Sequence, residues 1–149
     1  MKIIEKNKKA FFDYEIEEKY EAGIVLKGWE VKSIKAGDVS LKESFCFVFG
    51  GEVFLKNAHI APYKMGVAFE KQDSRQDRKL LLNKREINKL IGKIKEKGLT
   101  VVPLMIYLKN GRIKMEIALA KGKKLFDKKQ SIKEKDIKRD QEREMSRYK

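Results

Sequence analysis

The apolar positions of the chain change period several times, and each change marks an element. The clearest is a stretch starting at Asn83. Ile87, Leu90, Ile91 and Ile94 fall at i, i+3, i+4 and i+7, one stripe on a 3.6-residue period. Asn83 followed by Glu86 has capping-box form, and Gly98 marks the end. The spacing predicts a helix whose opposite face carries Lys84, Lys89, Lys93 and Lys95. After Gly98 the period drops to two. Thr100–Leu108 is apolar and β-branched, Asn110-Gly111 is a strong hairpin turn, and the return strand alternates. Ile113, Met115, Ile117 and Leu119 point one way; Arg112, Lys114 and Glu116 point the other. Pro103 removes a ladder donor, so an edge or a bulge is expected there.

Upstream the pattern is weaker. Residues 1–10 read as a polar, basic arm, and Phe11 to Leu26 as extended chain interrupted near Glu17-Glu18-Lys19. Trp29–Ala36, with Val31 and Ile34 three apart and Gly37 beyond, predicts a short helix. Phe45–Phe49 and Val53–Leu55 flank Gly50-Gly51-Glu52, a hairpin signal because tight turns favour positive φ. Lys64 to Lys79 holds few apolar residues and reads as a mobile loop.

The apolar supply stops at Leu119. Residues 121–149 hold 12 basic and 6 acidic side chains and too few large apolar ones to form a core. Two units follow: residues 1–120 as a folded domain, and 121–149 as a basic tail, disordered alone. Ile137, Gln141, Met145 and Tyr148 trace a weak helical stripe, so the tail is expected to order on a partner. The fold class is mainly β with inserted helices. Several short antiparallel strands in a small basic protein suggest a closed barrel of the OB type, though an α+β sandwich fits the same runs.

Composition narrows the partner. Lys and Arg number 36 against 22 acids, a formal charge of +14 in 149 residues. A Lys-rich, heat-adapted surface accounts for many charges but not for the excess of one sign, which points to a polyanion. No segment approaches the roughly 20 apolar residues of a membrane span, and the start lacks the apolar run of a signal sequence, so a cytoplasmic protein is expected. The single cysteine, Cys46, forms no disulfide within the chain and reads as a buried small hydrophobe. His59 is the one histidine, without a recognisable nucleophile motif, and neither a nucleotide loop nor metal-ligand spacing is present. No enzyme, metal or cofactor is expected. Phe11, Phe12, Tyr14, Tyr20, Trp29 and Tyr107 are able to stack on bases, but their spacing beside apolar neighbours makes most of them core.

Several motifs are more specific. Asn7-Lys8-Lys9-Ala10, Tyr14-Glu15-Ile16-Glu17-Glu18 and Glu21-Ala22-Gly23-Ile24-Val25-Leu26 open the series. Gly28-Trp29-Glu30-Val31-Lys32-Ser33-Ile34, Asn57-Ala58-His59-Ile60, Arg78-Lys79-Leu80-Leu81-Leu82 and Thr100-Val101-Val102-Pro103-Leu104 follow. Ala120-Lys121-Gly122-Lys123-Lys124, Asp127-Lys128-Lys129 and Ile132-Lys133 close it. In this order the set resembles the SsrA-binding protein family (small protein B) over nearly the whole chain.

The resemblance implies an OB-type barrel that binds the tRNA-like part of transfer-messenger RNA (tmRNA) at its elbow and D-arm. It implies delivery of that RNA to stalled ribosomes in trans-translation, with elongation factor Tu engaged indirectly through the charged tmRNA. The tail is expected to enter the empty mRNA channel near the decoding centre and become helical there. Carried over by motif, Asn7, Glu21, Leu81 and Lys114 contact the RNA or support that surface. Lys114 is free to reach phosphate, Glu21 to accept from a base edge or ribose hydroxyl, and Leu81 either to pack on a base or to join the core. Lys121, Lys123, Lys124, Phe126, Asp127, Lys128, Lys129 and Lys133 belong to the ribosome-contacting tail. Lys129 stands where the family usually has Arg, keeping the charge but losing the bidentate fork, and Phe126 keeps a capacity to stack. A general OB-fold ribosomal or RNA-binding protein is the alternative reading.

Overall fold

The computed structural model describes residues 1–63 and 71–123. Nine strands and three helices occur among them. The strands are β1 (Lys2–Lys6), β2 (Tyr14–Ile24), β3 (Val39–Ser40), β4 (Phe45–Phe49), β5 (Glu52–Lys56), β6 (His59–Ile60), β7 (Arg78–Leu81), β8 (Thr100–Lys109) and β9 (Arg112–Gly122). The helices are α1 (Lys8–Asp13), α2 (Gly28–Lys35) and α3 (Lys84–Lys97). The fold is mainly β, as expected.

Seven strands form one antiparallel sheet in the order β1-β8-β9-β2-β7-β5-β4, while β3 and β6 pair separately. The expected closed ladder is not found: β4 ends the hydrogen-bonded order, although the sheet curls enough to bring β4 against β8. The inner face gathers Val53 and Leu55 of β5, Leu80 of β7, Ile106 of β8, and Met115, Ile117 and Leu119 of β9. Trp29 and Ile34 of α2 and Leu90 of α3 complete that core.

Local signals were reliable where capping or turn chemistry was strong. The Asn83 side chain accepts from Glu86 N–H at 2.8 Å, the Glu86 carboxylate accepts in return from Asn83 N–H, and Gly98 closes α3 at φ 66°. Gly50 and Gly51 take positive φ at the β4–β5 turn, as the tight connection requires. Pro103 lies at a register shift between Pro103 and Met105, the bulge alternative, since β8 is flanked by β1 and β9.

Three readings are corrected. Residues 1–10 are not an arm: Lys2–Lys6 is an edge strand on β8, and Lys8–Asp13 is a helix capped by Asn7. Phe11–Asp13 therefore belong to α1 rather than to extended chain, and the expected interruption is a register shift between Ile16 and Glu18 within β2. Arg78 and Lys79 are not loop but the start of β7; residues 64–70 lie outside the described ones. β9 alternates as expected from Arg112 to Leu119. Its outward face runs Lys114, Glu116, Ala118 and Ala120, and α1 covers the two alanines with Ala10 and Phe11. Small residues occur where a helix lies close, and charged ones where the face is open.

β9 continues to Gly122, two residues past the expected boundary at Ala120. Lys121 pairs with Glu15, and Lys123 N–H donates to Asp13 O at 2.9 Å. Lys124, Phe126, Asp127, Lys128, Lys129 and Lys133 lie outside the described residues, as does the Ile137–Tyr148 stripe.

Candidate nucleic-acid interface

The open half of the outer face is built by register. Opposed residues of an antiparallel pair share a face. Leu81 of β7 opposes Gly23 of β2, Gly23 opposes Lys114 of β9, and Lys114 opposes Tyr107 of β8. One lateral row therefore carries Leu81, Gly23, Lys114 and Tyr107. Gly23 leaves the row low in its middle: a Cβ there would stand 3.3 Å from Leu81 Cβ, tighter than ordinary van der Waals contact. Beside the row lies a concavity of about 360 Å³, lined by Leu81, Lys114, Arg112, Lys35 and Val31 among others. Three cations and no acid line it. Leu81 is 50% exposed, so it is not core.

Glu21 lies two residues before Gly23 on the same face and opposes Glu116. Like charges directly opposed repel, and each is met by a neighbour. Tyr107 Oη donates to Glu21 Oε2 at 2.5 Å, Lys109 Nζ lies 3.3 Å from the same oxygen, and Lys19 Nζ lies 3.9 Å from Glu116 Oε1. The Tyr107 hydrogen bond foremost, then Lys109 and Lys114, hold the Glu21 carboxyl below its ordinary range. Burial, then the Glu21 carboxylate, pushes the Tyr107 hydroxyl up.

Asn7 is placed apart from these three. Its side chain accepts from Ala10 N–H at 3.2 Å and donates to Pro103 O at 2.9 Å, while its own N–H donates to Leu104 O. The residue caps α1 and ties it to the β8 bulge, and it lines a different depression together with Tyr14 and Phe45.

A second polar knot frames the interface from within. Arg78 Nε donates to Glu30 Oε2 at 2.7 Å, with both side chains 1% exposed. Arg78 also donates to Ala58 O and Ser74 O, and Glu30 accepts from Lys27 N–H and Gln76 Nε2. One ion pair thus ties the start of α2 to the start of β7, to Ala58 and to residues 74–76. On α3, Lys89 and Lys93 are not free cations. They grip Glu18 at 2.6 and 2.7 Å, and with the Tyr20 hydroxyl they lower its carboxyl to about 2.

Sequence reasoning passed over Arg112, Lys35, Tyr107 as a partner of Glu21, and Gly23. The two-residue Asn110-Gly111 loop already fixes Tyr107 opposite Lys114, so that neighbour was legible. Lys35 and Gly23 depend on how α2 and β7 meet β2, which no local pattern carries. Of the aromatics, Phe12, Tyr20, Trp29 and Tyr107 are buried, in keeping with core. Cys46 is buried, which pushes its thiol up. His59 lies in β6, and among the described residues no group of three or more His, Cys, Asp or Glu is arranged to hold a metal ion. Among them too, no helix is long and apolar enough to cross a membrane.

Comparison with known proteins places this geometry in a family. The model of the SmpB protein family matches residues 4–147. The SsrA-binding protein of Sulfurihydrogenibium sp. (strain YO3AOP1) is 57% identical over 142 residues, 95% of this chain and 93% of that protein. That of Caldicellulosiruptor saccharolyticus is 54% identical over 148 residues, 99% of this chain and 93% of that one. A solved structure, "tmRNA-SmpB: a journey to the center of the bacterial ribosome", matches with TM-score 0.65 and 47% identity, covering 90% of this chain and 94% of its own. With a family match across nearly its whole length and relatives above half identity, the chain belongs to the SmpB family of SsrA-binding proteins.

Proposed function

We propose that this chain binds the tRNA-like part of tmRNA through the open half of its sheet and brings that RNA to stalled ribosomes in trans-translation, without catalysing a reaction. The observation that carries the reading is the acid-free concavity in which exposed Leu81 adjoins Lys114, Arg112 and Lys35. Lysine and arginine there neutralise phosphates and release counterions, which supplies affinity. Leu81 offers an apolar surface to an unstacked base, and Glu21 offers an ionised acceptor to a base edge or ribose hydroxyl. Asn7 supports this face by fixing α1.

The curled sheet reads as an OB-type barrel whose seam between β4 and β8 is packed rather than hydrogen bonded. The basic tail then acts separately. Lys121 and Lys123 are still tied to the body at the end of β9 and mark where the tail begins, and Lys124, Phe126, Asp127, Lys128, Lys129 and Lys133 would line the empty mRNA channel towards the decoding centre. Elongation factor Tu would meet the chain only through the charged tmRNA, and the cytoplasm is where such a factor works.

Competition between tmRNA and bulk tRNA at near-physiological salt tests the reading. A strong preference for tmRNA is expected. Equal binding would mean that charge rather than shape dominates, and a general RNA-binding role would replace the specific one.

A further inference from the structure

The same outer face continues past Leu81 onto the β4–β5 hairpin, and its character changes there. On β7, Lys79 and Leu81 are two apart and both point outward. Lys79 opposes Phe54 of β5, and Phe54 opposes Phe47 of β4. The Phe47 and Phe54 rings stack with centroids 5.3 Å apart and planes at 20°. Phe49, two residues along β4, is on the same face and 73% exposed. A concavity of about 610 Å³ opens between these three rings and Val25, Lys27, Arg78 and Lys79, with Asp77 and the Arg78-paired Glu30 also in its wall. That volume is within the range of roughly 300–1,000 Å³ that takes a drug-sized, hence base-sized, group.

From this we infer that the hairpin is a stacking platform for unpaired bases of the same RNA that occupies the Leu81–Lys114 row. The inference rests on that row being an RNA-binding face, and adds a second site to it. Three features select RNA over an apolar protein segment. Cations without a carboxylate partner among the described residues flank the rings: Lys56 Nζ lies 5.7 Å from the Phe47 ring centre and Lys27 borders the concavity, while Lys79 is already paired with Glu52. An apolar partner would strip water from these ammonium groups, whereas phosphates would pair with them. Phenylalanine faces on a basic surface are what sequence-tolerant base stacking uses. Lastly, Lys79 joins the platform to Leu81 without a break in the face.

The test uses the full-length chain, full-length tmRNA, and a short unpaired RNA carrying 2-aminopurine, whose fluorescence falls on stacking. Phe49→Ala and Phe47→Ala should each weaken tmRNA binding about tenfold, the scale of one stacked base, and reduce the 2-aminopurine quench. The salt slope should stay unchanged, because no phosphate contact is removed. Phe49→Trp should restore both affinity and quench. Phe49 is mostly exposed, so its variant remains informative even where Phe47→Ala fails to fold. Wild-type tmRNA affinity in Phe49→Ala overturns the platform. If Leu81→Ala and Lys114→Ala still weaken binding in that case, only the platform falls; if they do not, the RNA face falls with it. Unchanged tmRNA binding with weakened ribosome binding also overturns the inference, since the stacked bases would then be ribosomal.

Discussion

Tyr107 and Glu21 stand on strands that do not pair, yet the Tyr107 hydroxyl reaches across β9 to the Glu21 carboxylate. Both that bond and the Lys109 contact fall on Oε2. Oε1 is left without a hydrogen bond among the described residues and is available as an acceptor. An acid on the proposed RNA-binding face is tolerable when it is held for one task, and a buried tyrosine holds this one.

Tyr107→Phe should therefore weaken tmRNA binding about three- to tenfold, the scale of one ordinary hydrogen bond, because the tyrosine acts on the RNA only through Glu21. The pH dependence is diagnostic. Glu21 is ionised below the ordinary carboxylate range in the native chain, and losing the tyrosine bond raises its pKa. On acidification the variant should lose affinity at a higher pH than the native chain. Superimposable pH profiles in titrations at fixed ionic strength would show that the tyrosine does not set the state of Glu21.

Lys114 should report on phosphate. Lys114→Ala is expected to weaken binding and flatten the log–log salt dependence by about one unit. Arg112→Ala, from the same concavity, should do likewise. An unchanged slope would remove that residue from the phosphate contacts.

Arg78→Met tests the frame behind the face. It leaves the Glu30 carboxylate buried without its cation and deprives Ala58 O and Ser74 O of a donor. Breaking a buried pair from one side costs about 3–5 kcal/mol, which denaturant unfolding would read as a lower midpoint at similar slope. A loss below about 1 kcal/mol would mean that the junction of α2 and β7 is held by other contacts.

Glu18 should govern part of the acid limb of stability. Its carboxyl is lowered from 4.5 to about 2 by Lys89, Lys93 and Tyr20. A depressed carboxylate stabilises the native state above its unfolded value, and that contribution is lost as pH falls through the folded value. Thermal unfolding across pH 2–6 should show Glu18→Gln with a shallower fall between about 4.5 and 2 than the native chain. Parallel curves would assign the acid limb to other groups.

Truncation after Lys123 separates the two proposed roles. Lys121 is still in the ladder and Lys123 N–H is bonded to Asp13, so the cut leaves β9 intact. RNA affinity should largely persist while rescue of stalled ribosomes is abolished. A large loss of tmRNA binding would make the tail part of the RNA interface.

The chain by itself determined whatever is decided within a few residues. Asn83, Glu86 and Gly98 bound α3 because caps satisfy orphan backbone groups locally, and Gly50-Gly51 and Asn110-Gly111 set two hairpins because positive φ is a local property. The outward placement of Lys114 followed from strand period alone. Tertiary structure decided the rest. Lys2–Lys6 is a strand only because β8 supplies its partner, and β7 only because β2 and β5 flank it. Whether Leu81 is core or surface depended on which side of β7 meets the interior. The joining of Leu81, Lys114, Arg112 and Lys35 needed the β7-β2-β9 order and the approach of α2. Lys89 and Lys93, unremarkable on a solvated helix face, became ligands of Glu18 once α3 docked. Strand order and helix docking are settled by long-range burial, in which many residues act together, and a local pattern holds no record of that sum.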